Sequence, residues 1–393
     1  MKTCAIVAEY NPFHAGHAYH IEETRRRTGA ESVVAIMSGS FVQRGEPAIL
    51  DKWTRARCAL AGGADLVLEL PHRYACASAE RFARGAMAIL EGSGIIDGVS
   101  YGCESEDEAG IRALADLLAQ EPPAFKDALK KALARGLSFP AARQHAAAAC
   151  LGEARAALLG LPNAILAVEY HKALLQADSR IETLLVPRQG SGYAEASLPR
   201  EGFPSALALR GALLRSSDPA ALLSSLPGRP QGRPVDPARA FPLLQYALRR
   251  SSPAALREIE GMAEGLENKL YTAARSEAGF ADFLAVVQSR RYPRTRLCRL
   301  LVACLLGQTR TETAAIDREG PYVRVLGVRR ARTDLLSRLS ERSRLPVVTQ
   351  PRAGELGAGL GLDVRAGDIY ALLAHPPAPA GQDFTRGLIV FDG

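Results

Sequence analysis

Apolar residues arrive in two rhythms along the first ~215 residues of the chain. Short, nearly unbroken runs recur: TCAIVAE (3–9), SVVAIMSG (32–39), ADLVLELP (64–71), GVSYGCES (98–105) and RIETLLVP (180–187). Between them the spacing turns helical, over 17–28, 51–61, 77–90 and 162–175. Runs that are apolar at successive positions suit strands covered on both faces, and an intervening helix carries the chain from one parallel strand to the next. The pattern predicts an α/β fold built on a doubly wound parallel sheet. A helical stretch over 105–160 interrupts the alternation, and SALALRGALL (205–214) reads as a short closing helix.

The rhythm changes after residue 216. SLPGRPQGRPVDP (225–237) has the Pro and Gly content of a linker or exposed loop. Beyond it the pattern is mainly helical, over 253–277 and 294–307, with YVRVLGV (322–328) as a strand. The expected organisation is an α/β unit over 1–216 and a mainly helical unit over 217–393. No fixed-period repeat is present.

Charge sharpens that division. The net charge is +7. Residues 1–216 balance at 24 Lys and Arg against 24 Asp and Glu, so the excess lies in 217–393, with 25 against 18. A neutral front and an arginine-rich back suggest chemistry in front and a polyanion behind. No apolar run approaches the ~20 residues that span a bilayer, so no membrane association is expected. The N-terminal run holds an ionisable residue and no cleavage-type tail, unlike a signal peptide. The seven cysteines are scattered, with no two-residue gap of the zinc or thioredoxin type, which suits reduced thiols in the cytoplasm.

Three of the seven histidines fall in EYNPFHAGHAYH (9–20). A spacing of three turns His14, His17 and His20 steadily round a helix, which does not converge on one metal ion. The stretch follows the first strand, where a doubly wound sheet collects its ligands. Asn11-Pro12 forces a turn, Gly16 permits close backbone approach, and the next helix offers unpaired N–H groups to an anion. His14 from the loop and His17 from the first helical turn are therefore expected to stabilise charge on a phosphorus as it becomes five-coordinate.

HAGH between a first strand and helix resembles the His-x-Gly-His signature of the nucleotidyltransferase superfamily. A longer set of segments is more specific: VAEYNPFHAGHAYH, AIMSGSFVQRGEPAILDKWTRARCALAGGADLVLELP, SAERFARGAMAIL, LPNAILAVEYHKAL, GMAEGLENKL and YVRVLGV. In this order, over about residues 1–345, they resemble the bacterial tRNA(Met) cytidine acetate ligase family. The resemblance implies a Rossmann-like nucleotidyltransferase domain that forms acetyl-adenylate from acetate and ATP. It then implies acetyl transfer to the exocyclic amine of the wobble cytidine of elongator tRNA(Met). Mg²⁺ is expected with the triphosphate, without a dedicated protein cage. The alternatives are an adenylyltransferase acting on a cofactor precursor and a non-catalytic, ATP-responsive RNA-binding protein.

The resemblance assigns catalysis to His14 and His17. It assigns ATP contacts to Val7, Ala8, Glu9, Tyr10, Asn11, Pro12, Phe13, Gly16, His20, Gly102, Asn163 and Arg188. Cys103 stands where the family more usually has serine, and Leu207 where a hydroxyl is expected, which puts those contacts in doubt. Asn163, at a helix start, also suits a cap. Arg44, Lys52, Ser205 and Arg210 are further candidates for phosphate or substrate. Lys52 falls in the first turn of a helix, where a cation opposes the dipole, so a ligand anion is expected beside it. In the back half, SRRYPRTRLCR (289–299) and VRVLGVRRAR (323–332) supply Arg290, Arg291, Arg294, Arg296, Arg299, Arg324, Arg329 and Arg330 as candidates for RNA contact.

Overall fold

The computed structural model describes residues 1–189, 203–263, 265–289 and 292–393. Its centre is a mixed sheet. The strands are β1 (Thr3–Ala8), β2 (Ser32–Ser38), β3 (Leu66–Leu70), β4 (Gly98–Cys103), β5 (Glu182–Pro187), β6 (Val323–Arg329), β7 (Val347–Val348) and β8 (Ile389–Phe391). The order across the sheet is β8-β6-β3-β2-β1-β4-β5, with β7 also paired to β6. The pairs among β1 to β5 are all parallel. The chain winds from β1 outward through β2 to β3, then returns to start β4 on the other side of β1. That reversal opens a crevice at the carboxyl ends of β1 and β4, where ligands of such sheets bind.

Period-two alternation explains why the strands read as continuous apolar runs. In β2, Val34 and Ile36 join the core on one face with Leu68, Val99, Phe82 and Val168, while Val33, Ala35 and Met37 join the other with Ile6, Ile21 and Leu60. Helices α1 (Ala15–Thr28) and α2 (Lys52–Ala61) cover the second face; α3 (Ala79–Ser93) and α4 (Pro162–Gln176) cover the first. Each fully buried Val, Ile or Leu contributes roughly 1.5–3 kcal/mol, so sheet and helices stabilise one another.

The back half does not stand apart as a helical unit. Strand β6 pairs antiparallel with β3, and β8 continues the sheet beyond it. The reason is burial: Val323, Val325, Leu326 and Val328 are inaccessible and need a sheet neighbour on each side. The 225–237 stretch is likewise no free linker. Val235 donates its N–H to the Ile49 carbonyl at 2.8 Å. A Cβ on Gly228, which has φ +76°, would meet the Cys58 Cα at 2.7 Å. A separate helical core does form, from Phe241, Leu270, Phe283 and Leu297, and α6 (Arg294–Leu306) belongs to it. Among the described residues, no helix is long and apolar enough to cross a membrane.

Candidate active site

The loop leaving β1 is held under tension. Tyr10 has φ +49°, which a non-glycine residue rarely adopts, and its ring is buried edge-on to both Phe13 and His17 with centroids 4.9 Å away. Asn11 latches the loop: its Oδ1 accepts the Ile49 N–H at 2.7 Å, and its carbonyl accepts Arg210 Nη1 at 2.8 Å. Below it, the guanidinium of Arg55 is fully buried, with no carboxylate partner among the described residues. It donates instead to the carbonyls of Glu9 (2.7 Å), Ser38 (2.9 Å) and Leu50 (2.9 Å), and to that of Gly39. One arginine thereby ties together the carboxyl ends of β1 and β2.

The two histidines cap the start of α1. His14 is the N-cap of α1, and its Nδ1 accepts the Gly16 N–H at 3.1 Å. His17 closes a reciprocal box: its Nδ1 accepts the His14 N–H at 3.3 Å. With Nδ1 an acceptor on each ring, the single proton of each neutral imidazole resides on Nε2, on the far side from the helix. The rings stack at 3.8 Å between centroids, inclined by 29°. Burial pushes the pKa of His14 down to about 3, and the charges of Arg188 and Arg210 push the same way. Burial, His14 and Arg188 hold His17 well below its ordinary value. Both are neutral donors at pH 7. Gly16 leaves the His14 ring its room, because a Cβ at that position would lie 3.0 Å from His14 Cε1.

The crevice is walled by His14, Gly16, His17, His20, Gly102 and Arg188, together with Tyr19, Val186, Pro187, Gln189, Phe203 and Pro204. His20 is tied across the switch point to Ser100 Oγ of β4 at 2.9 Å, and burial lowers its pKa to about 4. Arg188 extends the ladder beyond β5, its N–H reaching the Cys103 carbonyl at 3.0 Å. Cys103, where the family more usually has serine, is buried in the hydrophobic core, and its carbonyl is the one that accepts the Arg188 N–H. Phe203 and Tyr19, whose rings lie 5.7 Å apart, went unnoticed in the sequence. Their signal was the Phe-Pro pair just ahead of a capping serine.

Other candidates fall elsewhere. Val7, Ala8 and Glu9 sit half-buried at the strand end, whereas Tyr10, Asn11, Pro12 and Phe13 are buried behind the crevice. Burial raises the pKa of Glu9, opposed by the Gln43 N–H and by Arg210, Arg44 and Arg55. Asn163 is no cap: Leu161 holds that position, and the Asn163 amide donates to Glu104 Oε1 at 2.6 Å. Ser205 caps α5 (Ala206–Arg215), accepting from the Ala208 N–H at 3.0 Å, and Leu207 points toward solvent.

Lys52 is not a phosphate ligand. Its Nζ is buried and bonded to Glu69 Oε2 at 2.8 Å and Asp383 Oδ1 at 2.7 Å, so the offsetting anions are the protein's own. Arg324 completes that buried cluster, 3.5 Å from Asp383 Oδ1, and is inaccessible to RNA. Arg329 is turned inward to the Leu60 carbonyl, and Arg330 is paired with Asp392. Arg290 and Arg291 lie outside the described residues. Arg294 and Arg296 are exposed, with Arg296 over the Tyr292 ring at 4.5 Å, and Arg299 is half-buried.

Two neutral histidines presented from a helix start, at the switch point of a parallel sheet, define a nucleotidyl transferase; residues 1–383 match the family model described as HIGH Nucleotidyl Transferase. A tRNA(Met) cytidine acetate ligase of Acetivibrio thermocellus is 35% identical over 99% of this chain and 100% of its own length. That of Caldanaerobacter subterraneus is 38% identical over 99% and 100%. The crystal structure of Thermotoga maritima TmcAL, in its apo form, superposes over 100% of both chains with a TM-score of 0.90 at 30% identity. A second form of that protein, bound with alpha-thio ATP, gives 0.88. The chain belongs to the tRNA(Met) cytidine acetate ligase family.

Proposed function

We propose that this protein is an ATP-dependent ligase that acetylates the wobble cytidine of elongator tRNA(Met) in the cytoplasm, giving N(4)-acetylcytidine. The observation that carries the reading is the pair of stacked, neutral imidazoles whose Nε2–H groups are fixed by backbone hydrogen bonds at the sheet's switch point. In the first step an acetate oxygen attacks the α-phosphorus of ATP, forming acetyl-adenylate and releasing pyrophosphate. The negative charge on the α-phosphoryl oxygens grows as the phosphorus becomes five-coordinate. His14 and His17 donate hydrogen bonds to those oxygens, and the guanidinium of Arg188 adds charge. A neutral donor cannot lose its role by deprotonation near pH 7, which suits a group that stabilises without transferring a proton.

In the second step the exocyclic amine of cytidine attacks the acetyl carbonyl. A C–N bond forms, the mixed-anhydride C–O bond breaks, AMP leaves, and the amine loses one proton. Family membership and the ATP analogue in the Thermotoga structure support the first substrate; the relatives' names support the second. Mg²⁺ would accompany the triphosphate as its counter-ion. The test is to incubate purified protein with ATP, labelled acetate and elongator tRNA(Met). Label recovered in one acetylated cytidine at the anticodon's first position supports the reading. ATP consumption that ignores acetate overturns it.

A further inference from the structure

A second cleft, with a volume of about 410 Å³, lies between the start of α3 and the face of α6. One wall carries Arg73, Arg81 and Arg84, and the other carries Arg296 and Arg299. Its two carboxylates are already engaged. Glu80 holds Lys172 at 2.7 Å, and Glu260 lies 3.6 Å from Arg73 and 3.8 Å from Arg81. Arg84 is exposed, and no carboxylate is within ion-pair distance of it among the described residues. Among the described residues Arg299 donates to a carbonyl, that of Gln43, at 3.2 Å. At the cleft floor His72 is 6% exposed, and its ring nitrogens have no hydrogen-bond partner among the described residues. The N-cap Ser78 and first turn of α3 open into the same space.

A hydrogen-bonded link joins the cleft wall to the loop that leaves β1. Gln43 accepts from Arg299 through its carbonyl and donates its N–H to Glu9 Oε1 at 3.0 Å, so one residue separates the arginine wall from the loop that carries the histidines. Arg73 is already committed to Asp317 at 2.6 Å, whereas Arg84 and Arg299 line the cleft from its two walls. Planar guanidinium groups both pair with phosphates and stack on splayed bases, which suits single-stranded RNA.

We propose that this cleft seats the single-stranded RNA next to the acetylated cytidine, with phosphates held between Arg84 on one side and Arg296 and Arg299 on the other. The proposal rests on the acetyl-transfer reading above and adds where its RNA docks. Arg84→Ala and Arg84→Glu test it, because Arg84 is exposed and its replacement leaves the core intact. Binding of elongator tRNA(Met) transcript is measured across a salt series, and acetylation across tRNA concentrations. Arg84→Ala should flatten the log–log salt slope by about 0.7, and Arg84→Glu should raise the tRNA KM by about tenfold. Arg352→Glu, the same charge change at a side chain 79% exposed, should do neither. Polyuridylate should displace the transcript, and polyglutamate should not. Unchanged slope and KM in both Arg84 variants, with wild type still acetylating tRNA, would overturn the cleft alone. Wild type that binds tRNA without acetylating it would overturn the reading beneath.

Discussion

His17 serves two purposes that a pair of substitutions can separate. In His17→Ala the His14 N–H loses its Nδ1 acceptor at 3.3 Å, which is the loss of a capping bond and costs about 0.5–2 kcal/mol of stability. For a chain of this size that is a fall in Tm of no more than about 2–4 °C per kcal/mol. The lost Nε2–H donor acts in the transition state, where removing one such hydrogen bond costs about 2.7–4 kcal/mol, or roughly 10²–10³ in rate. ATP affinity should change far less, since the bond strengthens only as charge develops. His17→Asn carries an amide oxygen that can cap but lacks the reach of the imidazole. It should regain the Tm and not the rate. Acetate-dependent exchange of labelled pyrophosphate into ATP reads the rate without tRNA; thermal unfolding reads the cap. Near-normal exchange in His17→Ala, or recovery of rate together with Tm in His17→Asn, would refute the assignment.

Four further outcomes follow from the geometry. The pKa values of His14 and His72 are lowered to about 3 and those of His20 and His171 to about 4, so the folded state takes up fewer protons than the unfolded chain below pH ~6.5. Stability should therefore be fully present above pH ~6.5 and decline as pH falls toward these values, by up to ~1.4 kcal/mol per unit per histidine; a pH series of denaturant midpoints checks this, and the exchange rate should show no acid limb near 6.5. Lys52→Met leaves Glu69 and Asp383 buried with Arg324 as their remaining cation, 4.0 and 3.5 Å away, and should cost about 3–5 kcal/mol in chemical denaturation, with ATP affinity of the folded fraction unchanged. Gly16→Ala drives a methyl against the His14 ring at 3.0 Å, so exchange should fall while Tm changes little. Replacing acetate by longer acids should lower exchange by roughly 10–200-fold, because small apolar differences are worth only ~1–3 kcal/mol; exchange that follows a larger substrate instead would favour the cofactor adenylyltransferase alternative.

Local pattern was enough for the parallel sheet and for the pairing of two histidines at a helix start beside its switch point. Strands buried on both faces must be apolar at successive residues, as in SVVAIMSG, so they announce themselves without partners. His14 and His17 lie within one helical turn, and their shared role at a helix start is a property of that turn alone. What each long cationic side chain touches is a different matter. Lys52 looked like a phosphate ligand because its anions are remote in sequence: Glu69 is 17 positions away and Asp383 is 331. Arg324 stands in a run of exposed-looking arginines, yet β6 brings it into the interior beside β3. Strand pairing over hundreds of residues places these charges, and a run's composition does not record which neighbours it will meet. The same holds for the second cleft, whose two walls come from α3 and α6. Sequence determined the sheet, its switch point and the paired imidazoles; only the tertiary structure decided which arginines were drawn into the interior and which were gathered along one cleft.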